Sequence, residues 1–303
     1  MKQIRMNSKK IRSRGLYDSD GRIQLLWRIM LGWLSFVIGL GAAVAVAQVA
    51  QSYEFPRIAI QLILAVVTTG IAIPLIYVLR QYADKRPWSG LGLSSPPSGL
   101  PYLILGVGLL AGSALLALVV GEAIGWLRVV ELRLPVETLL VILINIPIAF
   151  FYEAFPEEVV FRGYLFRNLN TKFSRWLALL FQVVLFVLAP IALTAVMVAA
   201  GIGTWDLITL EYVINLIAFG TVLQLCRIYS GNLWMCIGFH IAWLEMVRYV
   251  IVPGSYAIIE VEYLSPYGYL LLSLGSTILA ILIVLTGAYL RRKTVSWNER
   301  TPE

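Results

Sequence analysis

Two stretches of the chain hold residue types that can move protons. The first is Phe150-Phe151-Tyr152-Glu153-Ala154-Phe155-Pro156-Glu157-Glu158-Val159-Val160-Phe161-Arg162-Gly163. The second is Trp234-Met235-Cys236-Ile237-Gly238-Phe239-His240-Ile241-Ala242-Trp243-Leu244-Glu245, which carries the chain's single histidine, His240. A carboxylate base and an imidazole donor are what hydrolysis of an amide needs: one to take a proton from water, one to face the developing oxyanion. On a helix Glu158 and Arg162 stand four apart, in the favourable order for an ion pair. Glu157 is turned by about 100° from Glu158 and does not share that arginine equally. Pro156 suits the first turn of a helix, so the spacing predicts a break before it. Both glutamates would then sit in a helix first turn, where the dipole stabilises carboxylates. The bland reading is a juxtamembrane charge cluster and a histidine that makes an interhelical hydrogen bond.

One histidine excludes a His-rich metal site and any mechanism that needs two imidazoles. Cys226 and Cys236 are too few for a disulfide scaffold and match no structural zinc pattern. Cys236 and His240 share a helical face, but we read the cysteine as a small buried hydrophobe. No cofactor is expected, and a metal held by Glu157 and His240 would be short of ligands. Asn145, Gln182, Asn215 and Gln224 read as amides bonded between helices. Glu245 has Arg248 three residues on as a partner.

The elements that must position these groups are membrane spans. Of 303 residues, 59% are hydrophobic and only 14% charged, with mean hydropathy +0.82. A soluble globule carries about 25% charged residues, so this chain cannot coat itself for water. Apolar stretches fall at 24–50, 58–79, 101–125, 138–161, 176–200, 208–226, 232–252 and 267–290. Each is long enough to cross the hydrocarbon core as a helix, for which about 20 residues suffice. They are continuous, not alternating at period two, which favours helix over strand. The expected fold is all-α, a polytopic bundle of eight helices: a basic tail at 1–22, the bundle at 23–290, and a second tail at 291–303. Between the second and third spans, 87–101 reads as a loop with an interfacial turn around Trp88 and Leu91.

Charge sets the expected orientation. With both termini cytoplasmic, nineteen of the 24 basic residues, Arg162 among them, fall in inside segments, four (Arg57, Arg128, Arg133, Arg248) fall outside, and Arg28 lies at the inner end of the first span. The loops around Glu54, Glu131, Asp206 and Glu260 are then external. The net charge of +7 thus belongs to membrane orientation, and no nucleic-acid partner is expected. Ala45-Val46-Ala47 resembles a signal-peptide cleavage site. The polar lead before it is too long, as is the apolar run itself.

Glu157-Glu158-x-x-x-Arg162-Gly163-Tyr164-Leu165 resembles the EExxxRG motif of the CAAX protease and bacteriocin-processing (CPBP) family, intramembrane endopeptidases similar to the type II CAAX prenyl endopeptidases. Ile217-Ala218-Phe219-Gly220, Ser230 to Trp234 and Gly238-Phe239-His240-Ile241-Ala242-Trp243 resemble the family's segment up to and around its second histidine. The resemblance covers 137–246. It implies that Glu157 activates water, that Glu158 and Arg162 are accessory, and that His240 holds the oxyanion or the substrate carbonyl. The chain departs from the family at two positions. Pro190 stands where the FxxxH motif, here starting at Phe186, has its histidine. Leu244 stands where an asparagine follows the second histidine.

Two functions follow. One is an intramembrane endopeptidase that cleaves a membrane protein or peptide with Glu157 and His240. The other is a catalytically impaired relative that binds such a partner as scaffold or regulator. A transporter would show paired broken helices in an internal repeat, and the sequence has none. The expected location is the cell membrane.

Overall fold

The computed structural model describes residues 16–18, 20–252 and 256–301. The basic residues expected in the tail from Lys2 to Arg14 lie outside the described residues. Among the described residues, eight apolar helices are long enough to span a membrane: α1 (Leu25–Ser52), α2 (Arg57–Ala83), α3 (Pro96–Ala123), α4 (Val136–Lys172), α5 (Arg175–Ala199), α6 (Leu210–Ser230), α7 (Leu233–Ile251) and α8 (Pro266–Leu290). The protein is an all-α, multi-pass integral membrane bundle. The expected spans are all there, with two marked differences in extent. The helix α3 starts earlier, because Pro96 and Pro97 occupy its first positions, where a missing N–H costs nothing. The interfacial turn before it is a 3₁₀ helix, Trp88–Leu91. The helix α4 runs on past residue 161 to Lys172.

The predicted break before Pro156 is absent. The helix passes through both Pro147 and Pro156 and widens into π turns at Phe150–Ala154 and Glu158–Leu165. A proline in a helix interior removes a donor and crowds the carbonyl four residues back; a wide turn just before it relieves both. The two glutamates therefore sit mid-helix, with no helix dipole to stabilise them.

Two short strands join the helices, an element that the apolar pattern did not reveal. Strand β1 (Leu127–Leu132) pairs antiparallel with β2 (Ile259–Tyr263), Leu127 opposite Tyr263 and Leu132 opposite Ile259. They tie the α3–α4 and α7–α8 connections together on one face of the bundle. The connections of the other face are tied as well. The Leu233 N–H donates to Gly92 O, and Arg227 donates to Leu91 O. The Thr301 N–H reaches Asn170 O. On this face Asp84, fully buried, accepts hydrogen bonds from Arg80 (3.0 Å), Asn168 (2.9 Å) and Tyr164 (3.1 Å), with Arg28 at 3.6 Å. That network joins α1, α2 and α4.

At the centre lies α4, whose Glu158–Leu165 stretch is buried on all sides. An aromatic series crosses the bundle from it: Phe36 to Phe161 (5.3 Å between ring centres), Phe161 to Phe186 (5.2 Å), Phe186 to Phe219 (6.2 Å) and Phe219 to Phe239 (6.1 Å). Both cysteines are buried and free, and Cys236 Sγ–H donates to Leu223 O.

Candidate active site

The α6–α7 connection fixes the height of His240. Gly231 ends α6 in the left-handed conformation (φ 73°), a position that suits a residue without Cβ. Asn232 then caps α7 by accepting the Trp234 N–H at 3.0 Å. The turn between the helices is thus only two residues long, and His240 follows two turns into α7. Its lateral position is set by α3. A Cβ on Gly238 would overlap the Leu103 carbonyl, and one on Gly106 the Met235 carbonyl, so the two backbones touch.

His240 is 2% exposed and lies between the two glutamates. Its Nδ1 is 2.9 Å from Glu158 Oε1, and its Nε2 is 3.9 Å from Glu157 Oε2. The ring stands edge-on to Phe219 at 4.9 Å. Arg162 Nη1–H donates to the same Glu158 oxygen at 3.0 Å, and neither partner has any exposed side-chain surface. The guanidinium also rests on the Phe186 ring at 4.2 Å. The order is therefore Arg162, Glu158, His240, Glu157. Glu158 fixes the ring by one nitrogen and leaves the other toward Glu157. A separation of 3.9 Å lets one water contact both groups, since each such contact is about 2.8 Å long.

Glu157 and His240 line a cavity of about 840 Å³. Its walls include Phe36 and Leu40 of α1, Phe186, Pro190 and Leu193 of α5, Phe219 of α6, and Trp243 and Leu244 of α7. Pro190 and Leu244 thus face the space beside the two candidate catalytic groups and present apolar surface to it. Glu158 and Arg162 do not line the cavity; they lie behind His240 and hold it.

The structure brings together all four residues singled out in the sequence. It also adds what spacing did not reveal. Glu158 has a second partner, His240, 82 residues away in the chain. Arg248 donates to Glu245 (3.2 Å), as its spacing predicts, and also to Glu153 (3.3 Å) on α4. Tyr152, Asp206, Glu211 and Tyr212 join the cavity wall. Only their position beside apolar spans hinted at this. Of the four amides, Asn145 bonds between helices, to Tyr249 Oη at 3.2 Å. Asn215 instead bonds within α6, to Glu211 O. Gln182 and Gln224 are buried without a protein hydrogen-bond partner among the described residues.

Residues 135–244 match the family model described as type II CAAX prenyl endopeptidase Rce1-like. Over this stretch, about a third of its length, the chain is similar to that family. That match is consistent with the CPBP family. It opens one residue before α4 and closes at Leu244, so Glu157, Glu158, Arg162 and His240 all fall within the matched stretch. No curated protein and no solved structure matches the chain.

Proposed function

We propose that the protein is a CAAX-type intramembrane endopeptidase that hydrolyses a peptide bond of a membrane-associated protein or peptide. The observation that supports this most directly is Glu157 beside His240 Nε2 in a cavity, with Glu158 and Arg162 fixing the ring from behind. Glu157 takes a proton from water as the oxygen attacks the carbonyl carbon. His240, protonated on both nitrogens between two carboxylates, donates from Nε2 to the oxyanion. When the tetrahedral intermediate collapses, Glu157 passes its proton to the leaving amine. Water is thereby divided between a new carboxyl and a new amine.

The test is cleavage of candidate membrane peptides by purified protein. Glu157→Gln keeps shape and loses basicity, so it should abolish turnover with the fold intact. His240→Ala should cost about 2.7–4 kcal/mol of barrier if it acts as an oxyanion donor. Cleavage that persists unchanged in both variants would refute the assignment.

One observation favours the second reading, a non-catalytic membrane scaffold or regulator. Pro190 and Leu244 turn apolar surface to the cavity where the family has polar groups. On that reading the wild type cleaves nothing, and partner binding survives in Glu157→Gln.

A further inference from the structure

We propose that the cavity selects peptide segments bearing lysine or arginine next to the bond at Glu157, and that they enter from the face opposite the Asp84 network. The proposal deepens the peptidase reading and rests on it for the word cleavage, though not for binding.

Charge is the first ground. The cavity wall holds four carboxylates, Glu153, Glu157, Asp206 and Glu211, against two cations, Arg248 and the His240 imidazolium, in a chain whose net charge is +7. Arg248 is already engaged by Glu153 and Glu245, at 3.3 and 3.2 Å. Asp206 accepts from Thr204 Oγ1 alone (2.8 Å), and neither it nor Glu211 has an ion-pair partner among the described residues. The wall is therefore net negative. Within low-dielectric surroundings such a surface focuses its field on whatever enters.

Position is the second ground. Asp206 lies on the α5–α6 connection and Glu211 in the first turn of α6, above His240 on the side of β1 and β2. No lining residue comes from 79–95, 162–175, 227–235 or 291–301, the segments that form the opposite face and carry most of the described cations. A cationic segment is repelled there and attracted at the acidic side. Tyr212 and Trp243 also line the cavity, and aromatic rings attract an ammonium or guanidinium.

The experiment uses quenched fluorescent peptides of one length and one apolar centre, with Lys, Gln or Glu beside it. The protein is reconstituted in vesicles of neutral phosphatidylcholine, so that lipid charge does not select. The Lys peptide should exceed the Glu peptide in kcat/KM by about tenfold, mostly through KM, as expected of two rim charges. High salt should shrink the ratio. Asp206→Asn with Glu211→Gln should flatten it, while Asp206→Glu keeps it. The same peptides are titrated by anisotropy against Glu157→Gln. If the wild type cleaves nothing but binding follows Lys, Gln, Glu, the selection stands and the peptidase reading falls. Equal binding of the Lys and Glu peptides, or an order that survives the double variant, overturns the proposal.

Discussion

Glu158 is the residue on which the candidate site turns, although it does not line the cavity. One of its oxygens accepts from both Arg162 and His240, so the arginine positions the histidine at second hand. Removing one member of a buried pair leaves the other charge uncompensated, at about 3–5 kcal/mol. Arg162→Ala should therefore lower the folded yield and melting temperature well below those of Arg167→Ala; equal values would mean that the pair carries no stability. Arg162→Lys should not restore the wild type, because a lysine lacks the planar group stacked on Phe186. A second test concerns Pro190. Pro190→His supplies the histidine of the motif that this stretch resembles, in the wall of the cavity that Glu157 lines, and also returns a backbone donor to α5. On the enzyme reading, turnover is equal or higher; a fall in turnover with the fold intact would count against a catalytic role for that slot here. Spacing made the Glu158–Arg162 pair legible, since both residues lie on one helix. It could not reveal Glu158 with His240, or Glu153 with Arg248, because each joins helices whose relative rotation no local pattern encodes.

Helix contacts decide how far apart these groups stand. The α3–α7 crossing is set by Gly106 and Gly238, where each backbone presses on the other. Lipid gives helices no hydrophobic reason to associate, so close packing of small residues supplies the attraction. An added methyl must push the helices apart, which costs about 1–3 kcal/mol in a packed interior. Gly238→Ala should lower the melting temperature and, lying two residues from His240, also reduce turnover or partner binding. Gly108→Ala is the control: nothing lies within 4 Å of its position, and it should be neutral. Identical effects of the two would dismiss the crossing as the constraint. The spans themselves were legible, because a run of about 20 apolar residues admits few other structures. The π turns of α4 were not. Pro156 is equally compatible with a helix start and with a widened helix interior, and only the packing of the preceding turn decides between them.

For the whole molecule, sequence and structure meet in the separation of two faces. The pairing of β1 with β2 puts the connections at 124–135 and 256–265 on one side, while the bonds between 84–95 and 230–233 and between Asn170 and Thr301 gather the other. Hydropathy gave no sign of the strands, which lie outside the apolar runs. The connections that collect on the second side are those that carry the basic excess. Arg162, counted among the inside cations, is in fact fully buried beside Glu158, which changes the asymmetry by only one. Basic residues are retained on the cytoplasmic side of a membrane. We therefore expect both termini to be cytoplasmic and the rim at Asp206 to face outward. Single cysteines introduced at Glu131 and Thr294, in a background with Cys226 and Cys236 replaced by alanine, test this in sealed cells. The Glu131 position, exposed on β1, should react with an impermeant maleimide at once, and the Thr294 position, exposed after α8, only after permeabilisation. The reverse pattern would turn the molecule over, and the cavity rim would then open to the cytoplasm. Reaction of both positions in intact cells would break the eight-span arrangement itself.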